Sequence, residues 1–200
     1  YMVGPDVVFT ASAAEFTIIR TAACTAFAVD LLAPSDAHVL GVLGAGPQAE
    51  EHVRQLARIR PLQAVRIASR TRVRAERLVH RLQPDLAPVT VELCDHVEDA
   101  CRAADIVIAA TSAVEPMLFP RHVHGGLVLG LIGSGIPTRR EASGQVMAGA
   151  ARIVVETQQA AWHEAGDLLI AEQEGHLDRT RTIELAALVD SPRMQVRSGY

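Results

Sequence analysis

Residues 38–49 read His-Val-Leu-Gly-Val-Leu-Gly-Ala-Gly-Pro-Gln-Ala, a short apolar run that ends in a glycine-rich turn. The run predicts a buried strand, and the residues that follow it repeat apolar side chains at helical spacing. Gly44, Gly46 and Ala49 form a G-x-G-x-x-A pattern between that strand and a helix predicted over residues 48–59. A turn in this context is typical of sites that bind the pyrophosphate of a dinucleotide.

Each position of the turn has a physical role in that prediction. Gly44 permits the tight turn, and Gly46, which has no Cβ, lets a phosphate approach the backbone. Pro47 suits the first helical turn, where its missing N–H costs no hydrogen bond. The helix N-terminus offers free N–H groups and the positive end of the helix dipole. The alternative is a glycine-rich turn in another doubly wound fold that binds no dinucleotide.

Apolar runs and helical patterns continue to alternate along the chain. Further strands are predicted at Val65–Ala68, Val89–Leu93, Ile106–Ala110, Leu127–Ile132 and Ile153–Val155, and further helices over residues 17–33, 72–83 and 96–104. Thr17 is the predicted N-cap of the first of these helices. Strands that alternate with helices form parallel βαβ units, and uniformly apolar strands are covered on both faces. The pattern therefore predicts an α/β fold with a doubly wound parallel sheet.

Composition limits the classes of partner. Hydrophobic residues make up 49% and charged residues 21% of the 200 residues, as in a globular domain. A net charge of −4 and only 4% aromatic residues argue against nucleic acid as a partner. No apolar run reaches the roughly 18 residues of a membrane span.

Cysteine and histidine usage carries two further expectations. Cys24, Cys94 and Cys101 are too few and too scattered for a disulfide scaffold, so we predict reduced thiols and a cytoplasmic protein. His122 and His124 stand two residues apart without a neighbouring cluster of further ligands. We therefore expect a pair of loop histidines and no metal site.

The end of the second strand of the predicted sheet bears on the cofactor. NAD-specific domains place Asp or Glu there for the ribose 2′-hydroxyl. This chain has Ser69, Arg70 and Thr71 instead. A carboxylate would repel a 2′-phosphate, whereas Arg70 can bind one through charge-assisted hydrogen bonds. The sequence favours NADP, with NAD as the second choice; the alternative for Arg70 is a solvated arginine at a helix start.

Several stretches of the chain, the glycine turn among them, form a recognisable set. They are Arg20-Thr-Ala-Ala23, Gly41–Ala49, Ala104–Ser112 with Glu115-Pro116, Gly133–Pro137 with Arg140-Glu141, and Glu164-Ala-Gly-Asp167. With these stretches the chain resembles the ornithine cyclodeaminase/mu-crystallin family. Their order and spacing extend over about nine tenths of the chain. The resemblance implies a Rossmann nucleotide domain and a second domain that binds the substrate and forms a homodimer.

The resemblance also implies how the chain is divided. Residues 1–33 correspond to the end of the substrate/dimerisation domain and a linking helix. Residues 34–160 correspond to the NAD(P)-binding Rossmann domain, and residues 161–200 to a segment that returns towards the second domain. Because the chain begins with Tyr1 and lacks most of the second domain, we expect a fragment that retains only a remnant of it.

Several site residues are assigned through the resemblance. Arg20 matches an arginine that contacts the cofactor pyrophosphate, and Gln48 matches a contact to the phosphates. Thr111 matches a contact beside the nicotinamide ribose, and Arg139 matches a lysine that contacts the cofactor. The alternatives are a surface arginine on an Ala-rich helix for Arg20 and a structural residue at a strand end for Thr111.

The catalytic residue stays unassigned, because Gly135 stands where cyclodeaminating relatives carry an aspartate that acts as acid and base. Glycine cannot exchange a proton through a side chain. Asp105 is no substitute, because it begins a strand at the end opposite Thr111. Glu141 resembles a family position and is expected to cap or pair structurally.

The resemblance implies an NAD(P)-dependent oxidoreductase that transfers hydride to or from a small imino or amino acid, as a ketimine reductase or amino-acid dehydrogenase does. One alternative is an ornithine cyclodeaminase, an ammonia-lyase that recycles its NAD. Another is a nucleotide-dependent binding protein without turnover. Gly135 counts against the first alternative, and Arg20, the glycine turn and Thr111 count against a loss of cofactor binding.

Overall fold

A computed structural model describes residues 2–3, 8–9, 12–133 and 135–189. Ser134 and the outermost parts of the predicted segments 1–33 and 161–200 lie outside the described residues. The strands are β1 (Met2–Val3), β2 (Val8–Phe9), β3 (Val39–Leu43), β4 (Ala64–Ala68), β5 (Thr90–Cys94), β6 (Ile106–Ala109), β7 (Val128–Leu131), β8 (Ile153–Val155) and β9 (Thr182–Glu184). The helices are α1 (Ala13–Leu32), α2 (Pro47–Ile59), α3 (Arg72–Leu86), α4 (Val97–Cys101), α5 (Gly144–Gly149), α6 (Gln158–Glu164), α7 (Gly166–Gln173) and α8 (Leu185–Val189).

Five parallel strands form the central sheet in the order β5-β4-β3-β6-β7. From β3 the chain first builds outward through β4 to β5 and then returns to place β6 on the other side of β3. This is the predicted doubly wound parallel sheet. The reversal brings the carboxyl ends of β3 and β6 side by side, at the position where open α/β sheets bind ligands.

Apolar side chains cover both faces of this sheet. One buried cluster joins Val42 in β3 to Leu56 of α2 and Leu78 of α3. The other joins Val107 in β6 to Leu168 of α7. Burial on both faces explains why the strands read as continuous apolar runs rather than alternating ones.

Helix α1 is attached to the sheet domain by a buried arginine at the end of α2. The Arg60 guanidinium donates to the carbonyl oxygens of Val29 and Asp30, each at 3.1 Å, and to the Asp30 carboxylate at 2.6 Å. These oxygens lie in the last turn of α1, at the negative end of its dipole. Arg60 thereby fixes the direction in which α1 leaves the domain.

The first predicted helix begins earlier than expected. Helix α1 starts at Ala13, with Ser12 in the N-cap position, so the predicted N-cap at Thr17 is wrong. The Thr17 hydroxyl instead donates to the carbonyl oxygen of Ala13 inside the helix, at 2.8 Å. A mid-helix threonine can make this bond to the preceding turn, and it therefore does not mark a helix start.

Two other helix ends differ from the prediction. Helix α3 continues through Pro84 to Leu86, although the proline has no N–H for a backbone hydrogen bond to the preceding turn. Helix α4 ends at Cys101 rather than at residue 104, since Ala103 adopts a left-handed conformation with φ of 52°. Neither difference moves the strands that follow.

Ile153–Val155 forms a strand, as predicted, but outside the central sheet. It pairs in parallel with β9 as a separate two-stranded sheet, so its expected place in the alternating series is wrong. The Trp162 indole N–H donates to the Thr182 hydroxyl at 3.2 Å, and the Gln158 side chain donates to the Thr182 carbonyl at 3.1 Å. A short apolar run predicts a strand but does not say which strand it pairs with.

Candidate dinucleotide site

The turn after β3 has the conformation that its glycines predict. Gly44 has a φ of 112°, and a Cβ at this position would lie 2.4 Å from the carbonyl oxygen of Ala110. Its N–H donates to the Ala68 carbonyl at the end of β4, at 2.9 Å. Only glycine fits here, because the turn is pressed against the ends of β4 and β6.

The start of α2 leaves room and hydrogen-bond donors for an anion. The helix begins at Pro47, one residue before the predicted range of 48–59, and its first backbone bond runs from the Glu50 N–H to the Gly46 carbonyl at 3.1 Å. The N–H groups of Gln48 and Ala49 precede that bond and have no acceptor inside the helix. A Cβ placed on Gly46 would meet no atom within 4 Å.

Gln48 places a buried Oε1 beside this turn that has no hydrogen-bond partner among the described residues. An amide oxygen only accepts hydrogen bonds, so this atom offers a phosphate no bond. The open side of Gly46 and the free N–H groups of α2 are the features that fit the turn for a pyrophosphate. The residues present therefore match the group that the sequence predicts.

A buried histidine connects this turn to α1. His52 is fully buried; its Nδ1 lies 2.7 Å from the Gln48 carbonyl oxygen and its Nε2 lies 3.1 Å from the Thr25 hydroxyl. Burial lowers the pKa of the imidazole below its ordinary value, and the bond to Gln48 opposes this shift. The Gln48 carbonyl can only accept, so the ring donates to it from Nδ1. Helix α1, which carries Arg20, is thus joined to the first turn of α2.

His52 gives the folded chain a predictable sensitivity to acid. Because its pKa is lowered on folding, the unfolded chain binds a proton below about pH 6.5 that the folded chain binds less readily. We expect the free energy of unfolding to fall with decreasing pH by up to about 1.4 kcal/mol per unit from this group. Urea denaturation of the wild type and a His52→Gln variant across that range measures it. A stability difference between the two that stays constant with pH would contradict the prediction.

The end of β4 exposes one arginine that has no partner. Arg70 makes no hydrogen bond or ion pair with any described residue, and it lies between Ser69 and Thr71, whose N–H donates to the Ser69 hydroxyl at 3.3 Å. Arg72 is occupied, because it pairs with Glu76 at 2.9 Å and with Asp95. Arg70 is therefore a cation that is available for a phosphate at this turn.

Arg20 is engaged by an acidic side chain at the end of β8. Its Nη1 contacts both carboxylate oxygens of Glu156, at 2.7 and 2.9 Å. The side chains are 47% and 59% exposed, and exposed pairs contribute only about 0–1 kcal/mol. An anionic ligand can therefore compete for Arg20, whose contact with the cofactor stays a prediction.

The carboxyl ends of β6 and β7 are joined by a buried carboxylate. Glu141 accepts the N–H of Thr111 through Oε1 and the N–H of Gly133 through Oε2, each at 2.7 Å. Burial raises the pKa of the Glu141 carboxyl, and these hydrogen bonds oppose that shift. Thr111 therefore has a fixed backbone at the strand end where the nicotinamide is expected.

Two of the remaining predicted positions, Gly135 and Arg139, follow the carboxyl end of β7, and Asp105 lies at the opposite ends of the strands. Gly135 is exposed in the loop after β7, and a Cβ there would meet no atom within 4 Å. Arg139 is half-buried later in that loop, and its side chain makes no hydrogen bond or ion pair with a described residue. Asp105 lies directly before β6, at the amino ends of the strands, where it accepts the N–H groups of His38 and Val39 at 2.8 and 2.9 Å.

His122 and His124 bind different groups, and Cys101 is a buried thiol. His122 Nδ1 accepts the Phe119 N–H at 3.2 Å, whereas His124 Nε2 lies 3.1 Å from the Ala104 carbonyl. Burial raises the pKa of Cys101 to about 11, which keeps this thiol protonated at neutral pH. Within residues 12–133 and 135–189, no three His, Cys, Asp or Glu side chains gather as a metal site.

Of the helices described, none has both the length and the apolar character to cross a membrane.

The strand order and the glycine turn define this chain as a doubly wound α/β domain of the Rossmann type. The sequence profile of the ornithine cyclodeaminase/mu-crystallin family matches residues 7–187. The chain belongs to that family, and the resemblance noted from its motifs is confirmed.

Individual relatives agree with this assignment. Ketimine reductase mu-crystallin of Mus musculus is 36% identical over 155 residues, which are 78% of this chain and 48% of the mouse protein. The Δ1-pyrroline-2-carboxylate reductase of Bacillus cereus is 31% identical over 159 residues, 80% of this chain and 48% of that protein. The crystal structure of a probable ornithine cyclodeaminase from Bordetella pertussis superimposes with a TM-score of 0.79 at 33% identity, covering 89% of this chain and 56% of that one. The chain spans about half the length of the curated relatives it matches.

Two polar residues of the site were not assigned this role from the sequence. His52 lies on the apolar stripe of α2 with Ala49, Val53 and Leu56, a spacing that could have predicted its burial. The sequence predicts that Glu141 caps or pairs structurally, but the two N–H groups that it binds follow different strands, and no local pattern predicts such partners.

Proposed function

We propose that the full protein is an NAD(P)-dependent oxidoreductase that transfers hydride to or from a small imino or amino acid. The observation that supports this most is the turn at Gly44–Ala49. The turn is open at Gly46, offers backbone N–H donors and lies at the adjacent carboxyl ends of β3 and β6. The related ketimine and pyrroline-2-carboxylate reductases indicate the reaction type. A nicotinamide cofactor supplies or accepts the hydride in this chemistry.

In this proposal, the residues of the chain bind and orient the cofactor. The turn of Gly44, Gly46, Pro47 and Gln48 binds the pyrophosphate, with Arg20 as an added cation. The residues proposed for the rest of the cofactor are Ser69, Arg70 and Thr71 at the adenosine ribose, Thr111 at the nicotinamide ribose, and Arg139 at the edge of the site. NADP is the preferred cofactor, because Arg70 is a free cation where NAD-specific domains carry a carboxylate.

We also propose the remaining features that the family resemblance implies. The full protein is a cytoplasmic homodimer that acts without nucleic acid or membrane partners. Residues 1–33 and 161–200 belong with a substrate and dimerisation domain, and residues 34–160 form the nucleotide domain. The apolar side chains that α1 exposes, Phe16, Ile19 and Phe27, support an attachment of that kind.

Ornithine cyclodeamination is the second candidate, because the Bordetella pertussis relative bears that name. Gly135 opposes it, since no side chain there can exchange a proton. A positioned acid or base contributes about 10²- to 10⁴-fold to rate, so we expect negligible production of proline and ammonia from ornithine. Reduction of a protonated iminium needs such a group less, because the substrate is already activated.

The prediction about ornithine has a matched pair of variants. A Cβ at Gly135 has open space around it, so Gly135→Asp and Gly135→Asn should both fold. Only Gly135→Asp should gain cyclodeamination. Proline and ammonia formed from ornithine at enzymatic rates by the wild type would overturn the reductase assignment.

Three assay patterns distinguish the function classes. Net NADPH consumption with a cyclic ketimine such as Δ1-pyrroline-2-carboxylate supports a reductase. Ornithine turnover without net change in NADPH supports a recycling lyase. Ligand and NADPH binding without any turnover supports a binding protein.

A further inference from the structure

Glu141 is a fully buried glutamate whose carboxylate faces no cation among the described residues. Its two oxygens are divided between two strands: one accepts from Thr111 and the other from Gly133, both at 2.7 Å. Each of these N–H groups lies two residues beyond the end of its strand, β6 or β7. The side chain therefore closes the gap where the two strands stop pairing.

The backbone around Glu141 is itself held in place on two sides. Asp167 Oδ1, in the first turn of α7, accepts the N–H groups of Glu141 and Ala142 at 2.9 and 2.8 Å. The Glu141 carbonyl accepts the N–H groups of Met117 and Leu118, both at 2.9 Å. Because the residue is fixed from the loop after β6 and from α7, its carboxylate cannot shift to follow a displaced strand end.

Thr111, Gly133 and Glu141 are packed against one another without spare room. A Cβ on Gly133 would lie 2.0 Å from the Thr111 carbonyl oxygen and 2.7 Å from Glu141 Oε1. Gly166, next to Asp167, is equally close to the loop after β7, since its Cβ would lie 1.9 Å from the Arg139 carbonyl oxygen. The positions of Gly133 and of residues 135–139 therefore depend on Glu141 and on the start of α7.

We propose that Glu141 is a positioning residue that holds the nicotinamide half of the cofactor site in shape while leaving the adenosine half unaffected. This inference rests on the proposed function, because Thr111 and Gly135 matter only if a nicotinamide and a substrate lie beside them. Glu141 would touch neither the nicotinamide nor the substrate, since it is fully buried. It acts through the backbone of Thr111 and Gly133.

The chemistry of the carboxylate suggests which substitutions report on this role. Both of its oxygens accept, whereas a glutamine offers one oxygen and one NH₂ that can only donate. Glu141→Gln therefore leaves one strand-end N–H facing another donor. Glu141→Asp keeps the charge but is one methylene shorter, so it cannot reach both N–H groups. The aspartate variant serves if the glutamine variant is not recovered in folded form.

The test compares two ligands that share the adenosine half. Dissociation constants of NADPH and of 2′,5′-ADP are measured for the full-length protein and for Glu141→Gln, with NADH and ADP-ribose in parallel. We expect NADPH affinity to fall about tenfold while 2′,5′-ADP affinity changes by less than about twofold. A general loss of structure would weaken both ligands together.

Asp105→Ala is the matched control. Asp105 also accepts two backbone N–H groups, but it lies at the amino ends of the strands of the same sheet. Its loss should therefore leave the ratio of the two affinities unchanged. Equal weakening of both ligands in Glu141→Gln, or no change in either, would overturn the positioning role. A wild type that binds neither dinucleotide would instead refute the proposed function.

Discussion

A Gly46→Asp variant should fold as well as the wild type and fail to bind NADPH. A Cβ at Gly46 meets no atom within 4 Å, and the residue has an ordinary φ of −91° at the N-cap of α2. Aspartate is among the preferred N-cap residues, so the helix should not be weakened. In the complex, its carboxylate would face the pyrophosphate, and such like-charge contact costs several kcal/mol, or about 100-fold or more in affinity.

Gly44→Ala is the contrasting change in the same turn. Its φ of 112° and its distance of 2.4 Å from the Ala110 carbonyl oxygen mean that a methyl group must displace the turn. We expect a lower melting temperature for Gly44→Ala and an unchanged one for Gly46→Asp, measured by circular dichroism, with affinities measured by calorimetry. NADPH binding by Gly46→Asp at wild-type strength would rule out the pyrophosphate site.

Replacing Arg70 with alanine should remove the preference for NADP. Arg70 has no partner among the described residues, whereas Arg72 is paired with Glu76 and Asp95. Charge-assisted hydrogen bonds contribute about 1.5–3 kcal/mol, which corresponds to about 10- to 100-fold in NADPH affinity. NADH has no 2′-phosphate, so its affinity should not change.

Arg58→Ala provides the control for the loss of one positive charge. Arg58 is exposed in the last turn of α2, away from the phosphate turn, and it also has no described partner. It should leave both affinities as they are. Tighter binding of NADH than NADPH by the wild type, or equal weakening of both by Arg70→Ala, would contradict NADP selection.

Local sequence patterns were sufficient for the five strands of the central sheet, the turn and the class of fold. The run from Val39 to Leu43 is apolar because β3 is covered on both faces, and Gly44 is a glycine because its backbone is left-handed. Both are properties of a residue and its immediate neighbours. For the same reason, Pro47 could be predicted at the start of α2.

Features that depend on distant partners could not be predicted in this way. Ile153–Val155 is apolar enough for a strand, but its pairing with Thr182–Glu184 depends on how the chain returns. The contacts of Arg60 with the end of α1 and of Glu141 with two strand ends link residues that are far apart in sequence. Burial of a charged side chain is decided by such partners rather than by its neighbours in the chain.

The most direct test of the proposed reaction is to follow the hydride itself. Full-length protein is incubated with Δ1-pyrroline-2-carboxylate and NADPH that carries deuterium at the transferable C4 position, and the products are analysed by mass spectrometry. We predict proline that carries one deuterium at its α-carbon, together with an equal amount of NADP⁺. Unlabelled proline, or labelled NADPH that remains unconsumed while the protein binds it, would contradict hydride transfer as the function of this protein.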